Sequence, residues 1–172
     1  QMVAAAAVFS PTTVVCHAGY DMFRYEFIRE TWLQRAAETW EKTGEALARH
    51  NCRLMLENVY ETGPEQLQWL FSRINTGQIG CCMDIGHLNV FGNQNLSAWI
   101  SSLAPYIGQL HLHDNDGNTD QHLGLGKGTI DVEPLAALFG PARPRPVVTL
   151  EPHEKTDLIA SIQYLRNVKW FR

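Results

Sequence analysis

Residues 109–128 read QLHLHDNDGNTDQHLGLGKG, and two textures meet in them. The first five residues alternate. Leu110 and Leu112 fall on one side of an extended chain and Gln109, His111 and His113 on the other, as in a strand with one apolar face. From Asp114 the composition turns to Asp, Asn and Gly, which build loops, and the segment closes on Gly124, Gly126 and Gly128 around Leu125 and Lys127. The loop carries Asp114, Asp116, Asp120 and His122. A solvated loop accounts for the aspartates, but not for two imidazoles on the strand and a third just after it. The segment therefore predicts a metal or catalytic site. Its glycines are a weak phosphate signal, and their simplest use is to let the backbone turn.

Four more short apolar runs end in polar residues: 13–17 (TVVCH), 53–57 (RLMLE), 79–84 (IGCCMD) and 147–151 (VVTLE). With 109–113 they predict five buried strands. Helical patterns lie between them. An Ala-rich helix over 2–9 is stopped by Ser10 and Pro11. A long helix over about 22–50 repeats Ile28, Trp32, Ala36, Trp40 and Leu47 at helical spacing, its tryptophans read as core packing. Shorter helices are expected from Pro64 through Ile74 to a stop at Gly77, over 96–103, over 132–139 behind Asp131, and over 157–168. The last has Leu158, Ile159, Ile162 and Leu165 on its apolar side. Residues 141–146 (PARPRP) read as a stiff connector whose arginines are solvated. Nearly continuous apolar strands alternating with helices predict an α/β fold with a parallel sheet, as a barrel or a doubly wound sheet. No GxGxxG or P-loop follows a strand, so a nucleotide fold has no motif to rest on.

The chain has 172 residues, 45% of them hydrophobic and 19% charged, which suits one globular domain over 1–172. A net charge of -4 supplies no basic footprint for nucleic acid or an anionic membrane. No apolar run is long enough for a membrane span. Cys16, Cys52, Cys81 and Cys82 lack CxxC spacing, so reduced thiols in the cytoplasm are expected.

In a parallel barrel, function sits at the carboxyl ends of the strands. Here the five strands end at His17, at Glu57, at Asp84 with His87 following, at His111 and His113, and at Glu151. Glu57, Asp84, His111 and Glu151 would converge from successive strands. Three carboxylates with one imidazole favour Mn²⁺, Mg²⁺ or Co²⁺, whereas His17, His87 and His122 would draw further positions toward Zn²⁺.

Taken together, VVCHAGY, LMLENV, CCMDIGH, LHLHDNDG with DQHLGLGKG, and TLEPH resemble the fourth to eighth strands of the xylose isomerase-like TIM barrels. That family includes sugar phosphate isomerases and epimerases as well as the endonuclease IV group. The resemblance implies a (β/α)8-type barrel seen here without its first three units. It implies that Glu57, Asp84, His111 and Glu151 are the shared metal ligands, with Glu57 and Glu151 as acid and base on opposite faces of a sugar. It also implies that His17, His87, Asp120 and His122 line the substrate pocket in isomerases or hold further metals in the endonucleases; His113 is counted with the substrate contacts. The implied reaction is isomerisation or epimerisation of a sugar or sugar phosphate through an enediolate. Gly117 and Asn118 stand where some epimerases carry an arginine, which leaves the sugar unspecified.

A full barrel has eight units and about 250 residues. Five strands would leave open edges and an uncovered apolar face, so self-association or completion by a missing N-terminal segment is expected. Two rival readings follow from the same residues: an endonuclease IV-like, zinc-dependent hydrolase of abasic DNA, disfavoured by the acidic balance, and a non-catalytic remnant that binds metal or a partner.

Overall fold

The computed structural model describes residues 2–74, 77–141 and 144–171. Five strands, β1 (Thr13–His17), β2 (Arg53–Glu57), β3 (Ile79–Asp84), β4 (Ile107–Leu112) and β5 (Val147–Leu150), form one sheet in sequence order. Every neighbouring pair is parallel, and the sheet curves into half a barrel. Alternation sorts the side chains. Leu54, Leu56, Cys81, Met83, Leu110 and Leu112 join the core beneath the helices with Leu33, Leu47, Leu67 and Leu70. The intervening residues face the concave side, where Met55 and Cys82 are buried below the polar strand ends. The register sets His17 beside Glu57 and Asp84 beside His111, so the carboxyl edge is polar across adjacent strands.

Around the sheet lie α1 (Met2–Phe9), α2 (Met22–Tyr25), α3 (Arg29–Ala48), α4 (Pro64–Phe71), α5 (Ile85–Phe91), α6 (Leu96–Leu103) and α7 (Lys155–Asn167). Among the described residues no helix is long and apolar enough to cross a membrane.

Several elements depart from expectation. The helix foreseen over 22–50 is interrupted by a 3-10 turn at Glu26–Ile28. Asp21 caps α2 by accepting from the Phe23 N–H, and the Tyr20 hydroxyl donates to Glu26 at 2.6 Å, which bends the chain there. The buried stripe of α3 is Leu33, Ala37, Gly44 and Leu47, with Trp32 and Trp40 packed along its flank. The α4 helix ends at Phe71, short of Ile74; Asn75 and Thr76 of the expected stop lie outside the described residues. The segment after Asp131 is a 3-10 helix, Glu133–Leu138, rather than an α-helix. Arg143 of the expected connector lies outside the described residues.

The largest departure is α7. It buries Asp157, Ser161 and Leu165 and leaves Leu158, Ile159 and Ile162 at the surface. The polar side docks because the glycine-rich segment needs acceptors: Gly124 N–H donates to Asp157 Oδ2 and Leu125 N–H to Ser161 Oγ, both at 3.0 Å. Hydrogen bonding to buried backbone decided the helix's rotation.

Candidate metal centre

Asp84 ends β3 and begins α5 at once. Its Oδ1 accepts the His87 N–H at 2.8 Å, a side-chain cap on a helix too short to show a periodic stripe in sequence. The turn aims the Asp84 carboxylate toward the strand ends. Beside it, Glu57 Oε1 and Glu151 Oε1 each lie 3.1 Å from His111 Nδ1, and Asp84 Oδ2 lies 3.9 Å from the same nitrogen. Glu151 reaches this position one residue past β5, where its N–H still bonds the Leu112 carbonyl. One ligand atom from each of Glu57, Asp84, His111 and Glu151 lies within 4.8 Å of all the others.

Glu57, Asp84 and His111 are buried, Asp84 completely. Among the described residues the ion pairs of Glu57, Asp84 and Glu151 go to histidines, and none to lysine or arginine. Clustered buried anions need a cation to offset their desolvation and repulsion. A divalent ion or imidazolium meets that need, so the donor set fits the metal that the fold family implies. Burial opposes charging of His111, but the hydrogen bond and charge of Glu57, with Glu151 and Asp84 behind, hold its pKa above the ordinary value. Asp84 goes the other way: burial would raise it, yet the bond to His113 and the nearby imidazoles bring it below the usual carboxylate range.

A second group adjoins the first. His87 Nε2 and His122 Nε2 lie 3.4 and 3.3 Å from Asp120 Oδ2, with His113 Nδ1 3.7 Å from the other oxygen. Together His87, His113, Asp120 and His122 could also hold a cation. His113, expected among the substrate contacts, is wholly buried: its Nε2 sits 3.1 Å from Asp84, and its ring stacks on His122 at 3.7 Å. Its position suits bracing the Asp84 carboxylate. A Cβ on Gly86 would overlap the His113 ring, so glycine is required there. His17 is exposed at the rim, 3.8 Å from Glu57.

The aspartates of the loop divide by task. Buried Asp114 is a structural anchor: Oδ1 accepts the N–H groups of Asn115 and Ile130, and Oδ2 those of Gly126 and Gly128. The glycine-rich close therefore directs two of its amides to Asp114. A Cβ on Gly128 would meet the Asn115 carbonyl, which accounts for that glycine. Asp116 lies at the surface and accepts from Asn118 and Thr119 within its own turn.

Asn58, Gln109 and Glu61 are among the buried polar residues that the sequence left unassigned. Asn58 brackets Asp84 with paired bonds of 2.9 Å to its backbone, and its carbonyl meets His87 Nδ1 at 3.0 Å. Gln109 contacts His111. Glu61 lines a cavity of about 610 Å³ at the rim with His17, Tyr20, Arg24, Tyr60 and Phe91. The only signal any of them left in the sequence was a polar residue in or beside an apolar run.

Burial raises the Glu61 carboxyl to about 7, although the Val59 N–H bonds one oxygen at 2.7 Å. Between its ordinary 4.5 and about 7, the folded protein keeps a proton that the unfolded chain has released, so this group's contribution to stability falls as pH rises. Glu61→Gln keeps the acceptor and is expected to be more stable than wild type at pH 8 by up to about 3 kcal/mol, with the difference gone at pH 4. Urea unfolding at both pH values checks this; equal midpoints at pH 8 would rule it out.

A model of the xylose isomerase-like TIM barrel matches residues 1–168. An uncharacterised protein of Methanocaldococcus jannaschii is 27% identical over 124 residues, covering 69% of this chain and 46% of its own length. The chain thus spans less than half of that relative. Among solved structures, a D-tagatose 3-epimerase-like protein is 25% identical with a TM-score of 0.79, covering 96% of this chain and 64% of that one. A Thermus thermophilus protein whose crystals were soaked with ZnCl₂ is 32% identical with a TM-score of 0.74, over 95% of this chain and 64% of that one. A xylose isomerase domain protein of Planctomyces limnophilus, at 18% identity and a TM-score of 0.75, shares the fold over 96% of this chain and 62% of that one. Five parallel strands in sequence order, the polar carboxyl edge and a match over nearly the whole chain agree: the protein belongs to the xylose isomerase-like TIM barrel family.

Proposed function

We propose that the chain is a divalent-metal-dependent isomerase or epimerase of a sugar or sugar phosphate, acting by proton transfer beside a carbonyl group. The observation that carries this reading is the convergence of Glu57, Asp84, His111 and Glu151 within 4.8 Å of one another at the carboxyl edge of the sheet. These four would hold Mn²⁺, Mg²⁺ or Co²⁺, in keeping with a mostly oxygen donor set. When bound, such an ion would polarise adjacent carbonyl and hydroxyl oxygens and acidify the C–H between them. The rest falls to the chain. Glu57 and Glu151 both border His111 Nδ1 and would remove and return the proton as base and acid. Asp84, clasped by Asn58 and His113, would keep its carboxylate charged and oriented. His17, His87, Asp120 and His122 would meet the sugar hydroxyls. The likeness to a D-tagatose 3-epimerase-like protein supports the substrate class.

A panel of ketoses in D₂O with added Mn²⁺ is expected to acquire deuterium next to the carbonyl; no exchange with Mn²⁺, Mg²⁺ or Co²⁺ would overturn the reading. Metal affinity should also depend on pH. Protons compete for His111 Nδ1, and its raised pKa extends that competition above the ordinary 6.5. Mn²⁺ affinity is therefore expected to climb with pH through neutrality, and a flat profile between about pH 6 and 8 would remove His111 from the ligand set.

The second group, His87, His113, Asp120 and His122, favours one further reading. Its three imidazoles suit Zn²⁺, and a multi-zinc centre would fit an endonuclease IV-like hydrolase. Cleavage of an abasic-site duplex with more than one bound zinc per chain would select that reading over the isomerase.

A further inference from the structure

Gln109 lies buried on the concave face, on the same side of β4 as His111. Its Nε2 is 3.2 Å from His111 Nε2 and 3.3 Å from Thr149 Oγ1, whereas its Oε1 has no hydrogen-bond partner. The opposite ring nitrogen, Nδ1, faces Glu57 and Glu151 at 3.1 Å each. The imidazole is thus gripped at both ends, by carboxylates at Nδ1 and by a primary amide at Nε2.

Whenever the ring is neutral, its two ends are coupled through a single proton. With that proton on Nδ1, the ring donates to Glu57, and Nε2 is a lone pair that accepts from the Gln109 NH₂, the assignment that fits an amide nitrogen 3.2 Å from Nε2 and a carboxylate 3.1 Å from Nδ1. When Nδ1 offers its own lone pair to a cation, the proton sits on Nε2 and requires an acceptor. A primary amide meets both demands from the same place, because a half-turn exchanges its NH₂ for its oxygen. Packing gives no reason for glutamine here, since an apolar side chain of equal volume would leave no orphaned Oε1.

We infer that Gln109 is a positioning residue for His111: its amide aims Nδ1 at Glu57, Asp84 and Glu151 and, by turning over, accepts the Nε2 hydrogen when Nδ1 becomes a ligand. This rests on the reading of that cluster as a metal centre. Ligand histidines are commonly held in this way through their second nitrogen, and loss of such a partner costs about 10–100-fold in metal affinity.

Two substitutions separate positioning from packing. Gln109→Glu retains an acceptor of nearly the same shape, and Gln109→Met retains the volume with neither donor nor acceptor. Mn²⁺ affinity, read from free-ion EPR, is expected to stay within about threefold of wild type for Gln109→Glu and to fall about 10–100-fold for Gln109→Met. In zinc-loaded protein labelled with ¹⁵N-histidine, the Nε2–H resonance of His111 is expected in wild type and Gln109→Glu, and broadened by exchange in Gln109→Met. A packing role alone gives the opposite order, because a buried carboxyl is worse tolerated than a thioether. Wild-type affinity in Gln109→Met, or weaker binding by Gln109→Glu than by Gln109→Met, would overturn the inference while leaving the metal centre intact. Should Gln109→Met not fold, Thr149→Val, which removes the hydroxyl next to the amide, is expected to weaken Mn²⁺ about 3–10-fold, and no change would count as the same refutation. Wild-type Mn²⁺ affinity in His111→Ala would instead remove the metal-centre reading, and this inference with it.

Discussion

Glu151→Gln is expected to slow deuterium exchange from D₂O into a ketose substrate by about 10²–10⁴-fold, the usual contribution of a positioned proton-transfer group. The substitution keeps the side chain's shape and its oxygen toward His111 Nδ1, which lies 3.1 Å away in wild type. It removes the capacity to take a proton and one of the three negative charges around the centre. These two losses are separable. Mn²⁺ binding restored by raising the metal concentration, with exchange still slow, assigns the defect to proton transfer. Exchange recovering along with metal occupancy would make Glu151 a ligand alone. Glu57→Gln, on the other side of the same nitrogen, should lose exchange in one direction of the epimerisation more than in the other if the two glutamates serve opposite faces of the sugar. Wild-type exchange in Glu151→Gln would end its acid–base role.

The largest effect on folding is expected at Asp114, a residue that belongs to neither of the two candidate metal groups. Asp114→Ala should destabilise the protein by about 4 kcal/mol or more, because four backbone N–H groups lose their buried side-chain acceptor at once. For a chain of this size that corresponds to a fall in Tm of roughly 10 °C. Asp114 also pairs with Leu123 through two backbone bonds, so the loop that carries Asp120 and His122 hangs on this residue. Loosening of the second histidine cluster should accompany the loss of stability, seen as weakened Zn²⁺ binding at temperatures where the rest of the protein is folded. Asp116→Ala is the control. Its carboxylate is at the surface and serves only its own turn, so little change in Tm is expected. Equal tolerance of the two substitutions would show that the loop does not depend on Asp114.

Much of this was legible in the chain itself. Buried parallel strands are continuous apolar runs, and such runs are local: β1, β2 and β3 lie where their composition places them. A polar residue ending each run announced the carboxyl edge, because in a parallel sheet all those ends lie on one side. Residue type alone could then nominate Glu57, Asp84, His111 and Glu151 as a group. What sequence could not decide was where side chains turn once other elements press on them. The α7 helix shows an apolar stripe, yet it rotates Asp157 and Ser161 inward because distant amides of the glycine-rich segment need acceptors. Asp114 and Asp120 look alike in the loop, yet one ties backbone and the other faces three imidazoles, a distinction made by contacts across the fold. Asn58 took on meaning only when the sheet brought a strand end to it, and Gln109, already next to His111 on β4, only when the fold set Glu57, Glu151 and Thr149 around that pair. Local periodicity is written along the chain, and it determined the strands and their polar ends. Pairing of buried donors with acceptors is written between segments far apart in sequence, and only the folded structure decides it.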